Sequence, residues 1–244
     1  MDLVRSEFVA VAAHEFRTPL TAILGVLSTM RTHGAALEVA VREELLDGAS
    51  AQAERLSRLV EDLLTAARLE DGVLRLDPEP VDARSLLLEA EQASGTSGRV
   101  QVELHRVDEV VCDRDAIVRV LTNLLDNARK HSPEGALIMA SVSQRDGFVR
   151  FAIRDAGPGI PPGDREAVFE RFRRGGNGSI PGSGLGLYIC RGLVEAHGVA
   201  ISVGGAPEGG AEFAFTLPLR ARAGEMEPGI ADVTQITAAA GGTR

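Results

Sequence analysis

Between residues 37 and 70, apolar side chains recur by fours and threes: Leu45, Ala49, Leu56, Leu59, Leu63 and Ala66, with Gln52 as the one polar break. That spacing draws a seam along one face of an α-helix. A second stripe runs beside it: Leu46, Ala53, Val60, Leu64 and Ala67. Two adjoining stripes make an apolar face wider than one antiparallel neighbour covers. The segment therefore favours a four-helix bundle made from two copies of a helical hairpin, with three-helix or purely intramolecular packing as the alternative.

The segment before it supplies the other arm of the hairpin. Residues 1–70 read as helical, with a turn near Thr32–Gly34. Phe8, Val11, Ala12, Ile23, Leu24, Leu27 and Met30 are the apolar positions of the first helix. Within it, "AAHEFRTPLTAILG" (residues 12–25) places His14 and Thr18 four apart, on one helical face. Pro19 removes a backbone donor and crowds the preceding turn, so a kink is expected just after His14.

"EDGVLRLDPEPVDA" (70–83) interrupts this periodicity with Gly72, Pro78 and Pro80, and residues 71–82 read as a linker. Beyond it helix and strand patterns mix. Residues 83–93 and 113–130 read as helices, the second started by Asp113. "VQVELH" (100–105) alternates as a strand, and "LIMASVSQ" and "GFVRFAIRD" pair as a hairpin around Arg145-Asp146-Gly147. A Gly-rich stretch precedes a helix at about 185–197, and "AISVGG" and "EFAFTLPL" close the region as strands. The expectation is an α+β chain: a hairpin over 1–70, then an α/β sandwich over 83–219 with one mixed sheet and helices on one face. Residues 220–244 lose periodicity and read as a disordered tail.

A formal net charge of −9 argues against nucleic acid as a partner, because phosphate backbones need a basic face. Cys112 and Cys190 share no metal-ligand spacing and read as buried thiols in a reducing compartment. No apolar run reaches the roughly 18 residues of a membrane span, and Met1 opens directly onto charged residues. A cytoplasmic location is expected, with membrane attachment only through a region N-terminal to this sequence.

Four short stretches of the second region carry chemistry. "LTNLLDNARKHS" sets Asn123 and Asn127 four apart on one helix, with Lys130 and His131 in the next turn. "DAGPGI" puts Asp155 at a strand end, able to accept from an exocyclic amine, followed by Gly157 and Gly159, which permit close backbone approach to a ligand. "VFERFRRG" supplies Phe169, Phe172, Arg173 and Arg174. "GSGLGLYIC" runs Gly182, Gly184, Leu185 and Gly186 into a helix start, where free N–H groups suit phosphate oxygens. A dinucleotide fold fails, because these glycines follow a long loop rather than the first strand of a βαβ unit. A P-loop fails for want of Gly-Lys-Ser/Thr. A different ATP site remains.

"FVAVAAHEFRTPLTAIL" and the four later stretches, in this order, resemble the phospho-acceptor box and the N, G1, F and G2 boxes of sensor histidine kinases of two-component systems. The match spans residues 5–219. The resemblance implies a dimeric phosphotransfer hairpin and a Bergerat-type ATP-binding domain, a homodimer, and a response regulator receiver domain as partner. It implies His14 as the phosphorylated residue and Glu15 as general base. Arg17 would steady acidic or phosphate groups, and Thr18 would position water for dephosphorylating the regulator. Asn127, assisted by Asn123, would hold Mg²⁺, and Lys130 would contact phosphate. Asp155 would read the adenine amine beside a wall of Gly157 and Gly159. Gly182, Gly184, Leu185 and Gly186 would cradle the triphosphate under a lid of residues 173–183 that includes Arg174. The chain departs from the pattern at Ala13, where Ser is usual, at Phe16, where Leu is usual, and at His131, where an aromatic is common; the lid is also short. A phosphatase-only protein or an ATP-binding scaffold is the competing reading, which the His14–Glu15 pair disfavours. A gyrase-like ATPase would lack the His-bearing hairpin.

Overall fold

The computed structural model describes residues 2–34, 36–96, 98–105, 107–173, 183–207 and 209–219. The stretch 220–244, expected to be a disordered tail, lies outside the described residues, as does most of the expected lid.

Helices α1 (Asp2–His33) and α2 (Val39–Glu70) form the hairpin. The Gly34 N–H donates to the Met30 carbonyl at 2.9 Å where α1 ends. The helix continues past Pro19 without a break in its assignment. Pro19 is buried on the inner face of α1, with Ala12, Phe16, Ile23, Val26 and Met30 also wholly or partly covered. The two stripes of α2 separate cleanly. Leu45, Ala49, Gln52, Leu56, Leu59, Leu63 and Ala66 are all wholly or partly buried, whereas Leu46, Ala53, Val60, Leu64 and Ala67 are all exposed. Among the described side chains of α1, the large apolar ones that are exposed are Leu20, Leu24 and Leu27. No helix among the described residues is long and apolar enough to cross a membrane.

The second region is built on a five-stranded mixed sheet, order β2-β4-β5-β7-β6: β2 (Val100–Leu104), β4 (Ile138–Arg145), β5 (Phe148–Arg154), β6 (Ile201–Gly205) and β7 (Ala211–Pro218). Only β2 and β4 run parallel. A second, two-stranded sheet pairs β1 (Glu79–Asp82) with β3 (Glu109–Cys112). Strand β1 lies in the stretch expected as linker, no sequence pattern marks β3, and two sheets stand where one is expected. Pro80 is tolerated because β1 is an edge strand.

Helices α3 (Ala83–Ser94), α4 (Arg114–His131) and α5 (Gly186–Ala196) cover one face of the large sheet. Val149, Phe151 and Ile153 of β5 point into that core, and Phe151 stacks on Phe215 of β7 at 5.1 Å. On the other face of the sheet Glu212 pairs with Arg150 at 2.6 Å and with Arg154. Burial pushes the Glu212 carboxyl up, but the two guanidiniums outweigh it and leave its pKa below the ordinary value. Asp113 caps α4, accepting from the Ala116 N–H at 2.9 Å, and its own N–H donates to His197 Nε2 at 3.0 Å. Burial pushes the Cys112 and Cys190 thiols up to about 12, so both are inert.

The last turns of α2 join the core of the second region. Ala66 is fully buried in it. Arg119 of α4 bonds Asp62 at 2.8 Å and the Thr65 hydroxyl at 2.7 Å, Arg171 pairs with Glu70, and Leu69 fills the space left by Gly192 of α5. Burial raises the Asp62 carboxyl's pKa despite the Arg119 charge beside it. A cleft of about 680 Å³ opens at this junction, lined by Leu69, Leu74, Phe169, Arg171 and Tyr188 among others, and shares no lining residue with the surroundings of Asp155.

Candidate active site

Asp155 follows the last residue of β5 and is 9% exposed. Its Oδ1 accepts the N–H groups of Gly157 at 2.9 Å and Ala211 at 3.1 Å, while its own N–H donates to the Ala211 carbonyl at 3.0 Å. Among the described residues, no hydrogen bond falls on Oδ2. The carboxylate is thus locked through one oxygen, and the other is left as an acceptor for a ligand.

Three strands of the chain close around it. A Cβ on Gly157 would stand 2.7 Å from the His131 carbonyl and 2.9 Å from Asp155 Oδ1, so only glycine lets these groups meet. The Ala156 N–H donates to Ser132 Oγ at 3.1 Å, tying the end of α4 to the Asp155 turn. Gly210, at φ +89°, lies against the Asp155 carbonyl where a side chain would collide. Gly159, at φ +73°, backs onto Gly210 from the other side.

The middle of α4 meets the start of α5. Asn123 Nδ2 is buried with no nitrogen or oxygen partner among the described residues; it stands beside the Cys190 thiol, and its amide lies 3.9–4.0 Å from the position a Cβ on Gly186 would take. The helix N-terminus there suits an anionic oxygen. Gly184, at φ +69°, packs on Phe172: its carbonyl accepts the Phe172 N–H at 2.9 Å, and a Cβ there would stand 2.7 Å from the Phe172 backbone. Leu185, between them, is fully buried. Asn127 is half-buried one turn beyond Asn123. Among the described residues, no cluster of three or more His, Cys, Asp and Glu could hold a metal. A magnesium site here would instead use amide oxygen and ligand oxygens, which Asn127 fits.

Other expected site residues are placed differently. Lys130 is bound to Asp126 at 2.5 Å, and Arg129 to the same carboxylate at 2.6 Å. Burial pushes Asp126 up, but these two cations outweigh it and hold its pKa below the usual value. Lys130 thus forms an i,i+4 pair, half-covered, one turn from Asn127. His131 contributes its carbonyl to the Gly157 contact. Arg173 reaches Asp164 at 3.4 Å. Arg174 and Gly182 lie outside the described residues.

On the hairpin, His14 lies within α1 and its side chain is outside the described part of the structure. Glu15 next to it is mostly covered and pairs with Arg55 of α2 at 3.9 Å. Arg17 and Thr18 are exposed. Sequence reasoning missed the Ala211 clamp, Ser132 and Arg55. The Gly209-Gly210 pair ahead of the last strand was the available signal for the first of these.

Residues 4–72 match the family model described as the His Kinase A (phospho-acceptor) domain, and residues 112–221 match that of histidine kinase-, DNA gyrase B- and HSP90-like ATPases. The alginate biosynthesis sensor protein KinB of Pseudomonas aeruginosa is 35% identical over 224 residues, 89% of this chain and 38% of its own length. The chain spans 25–59% of the length of such curated relatives. Among solved structures, the mycobacterial sensor histidine kinase MprB is 37% identical with a TM-score of 0.51, covering 58% of this chain and 97% of that one. The histidine kinase ThkA in complex with response regulator protein TrrA is 27% identical with a TM-score of 0.63, covering 88% of this chain and 61% of that one. With a phospho-acceptor hairpin ahead of a gyrase- and chaperone-like ATPase domain, the chain belongs to the sensor histidine kinases.

Proposed function

We propose that this chain autophosphorylates on His14 with ATP and passes the phosphoryl group to an aspartate of a response regulator in the cytoplasm. One observation carries the nucleotide part. Asp155 is locked through Oδ1 with Oδ2 left as an acceptor, which suits the adenine amine. Gly157 and Gly159 form the wall beside it. Asn123, Gly184, Leu185 and Gly186 receive the phosphates, with Arg174 and Gly182 expected to complete that cradle. Asn127 is the proposed Mg²⁺ ligand, assisted by Asn123, and the ion would neutralise phosphate charge when bound.

Glu15 takes the proton from one ring nitrogen of His14 while the other attacks the γ-phosphorus and ADP leaves. With little covalent work for the protein, positioning and charge neutralisation carry the rate. The exposed stripes of Leu20, Leu24 and Leu27 on α1 and of Leu46, Val60 and Leu64 on α2 support a homodimeric four-helix bundle. Thr18, exposed one turn from His14, supports a further phosphatase activity toward the regulator. The regulator partner is in keeping with the ThkA–TrrA complex.

The test is labelling with γ-³²P-ATP. Wild type is expected to take up acid-labile, alkali-stable label, and His14→Gln none, with ATP affinity retained. Acid-labile label on His14→Gln would overturn the acceptor assignment.

A further inference from the structure

Two arginines lie three residues apart on α2 and behave differently. Arg58 is 67% exposed and pairs at 3.9 Å with Glu54 of its own helix, itself 71% exposed. Arg55 crosses the hairpin. Its guanidinium lies 3.9 Å from the Glu15 carboxylate, whose side chain is only 11% exposed. Arg55 itself is half-covered and sits next to Leu56 of the inner seam.

Neighbouring residues on a helix point about 100° apart, so Glu15 does not face His14 by default. Its carboxylate reaches the imidazole only from particular rotamers. A cation on the opposite helix selects among them. At 3.9 Å the link is charge attraction rather than a hydrogen bond, so it biases the side chain without withdrawing its lone pairs.

We infer that Arg55 is a positioning residue for the autokinase reaction, biasing where the Glu15 carboxylate sits for proton removal from His14. This rests on Glu15 acting as the general base.

The experiment measures single-turnover autophosphorylation on the full 244-residue chain. Arg55→Met keeps the aliphatic stem and removes the charge. It is expected to lower kcat about tenfold, a part of the roughly 10²–10⁴ that a positioned base contributes, with KM for ATP unchanged. Arg55→Lys should restore most of the rate, and Arg58→Met should match wild type. In a Glu15→Gln background, Arg55→Met should add nothing further. An undiminished loss in that background would show that Arg55 acts on the hairpin's packing and not through Glu15, overturning the inference. So would a wild-type rate for Arg55→Met while Glu15→Gln is slow, which leaves the base assignment standing. A wild-type rate for Glu15→Gln itself removes the base assignment, and the role of Arg55 with it.

Discussion

Asp155→Asn separates the fold from the ligand at one atom. In the native protein Oδ1 holds two backbone N–H groups, at 2.9 and 3.1 Å, and Oδ2 holds none among the described residues. Asparagine can keep its single oxygen on Gly157 and Ala211, so the turn survives with neutral bonds in place of charge-assisted ones. Its amide nitrogen then takes the place of Oδ2 and presents a donor to the adenine amine, itself a donor. One bond to a charged acceptor is lost, a loss of about 1.5–3 kcal/mol, or about ten- to 150-fold in Kd for ATP. Guanine presents a carbonyl where adenine presents its amine, so the same substitution should narrow the preference for ATP over GTP. Asp155→Ala is the contrast. It strands both backbone N–H groups and should lose about 1–3 kcal/mol of stability as well. Calorimetric titration with non-hydrolysable ATP and GTP analogues, beside thermal melts of both variants, tests this. An unchanged ATP Kd for Asp155→Asn, or a melt as damaged as that of Asp155→Ala, would refute the division of labour between the two oxygens.

Thr18→Ala should slow dephosphorylation of the regulator and spare autophosphorylation; equal losses in both rates, with lower thermal stability, would make Thr18 a structural residue. Leu24→Glu with Leu64→Glu should turn a dimer into a monomer by sedimentation while leaving helicity intact, since both side chains are more than half exposed in one copy; a wild-type chain that sediments as a monomer would sink the bundle. Glu212 ionises more readily in the folded state, so its contribution is present at neutral pH and is lost as pH falls through its lowered pKa. Glu212→Gln should therefore lower stability at pH 7 by about 1–3 kcal/mol and flatten the stability–pH curve below the ordinary Glu value of about 4.5, read by denaturant melts across pH.

The parts of this molecule that announce themselves in sequence are those whose signal is local. The two stripes of α2 needed only their spacing, and burial divides them as inner and outer faces residue for residue. Asp155 was legible because a strand end, an acid and two glycines follow in order. Strands β1 and β3 were not, being four residues each, one of them interrupted by Pro80, with no room for an alternation. The pairing of Lys130 with Asp126, four residues earlier, was open to the sequence through its i,i+4 spacing but was not drawn from it. The Ala211 clamp depends on β7 lying beside β5, a pairing of residues 56 apart that periodicity does not encode. Arg55 is hidden for the same reason: which arginine of α2 meets Glu15 is set by the register of the hairpin.

That register also bears on how the two regions cooperate. Arg119 and Asn123 are four apart on α4, so one face of that helix carries both the tie to Asp62 and the Asn123 amide beside the start of α5. The phosphate end of the proposed pocket is thus on the side that meets the hairpin. Along α2, however, Asp62 lies seven residues beyond Arg55, which marks the level of Glu15, and at 1.5 Å per residue that is about 10 Å. Bringing a γ-phosphate to the level of His14 asks the ATP-binding region to advance by about two turns of α2, exchanging the Arg119–Asp62 and Arg171–Glu70 contacts on the way. Burial pushes the Asp62 carboxyl up even with Arg119 beside it, so the guanidinium only partly offsets the loss of water around this carboxylate.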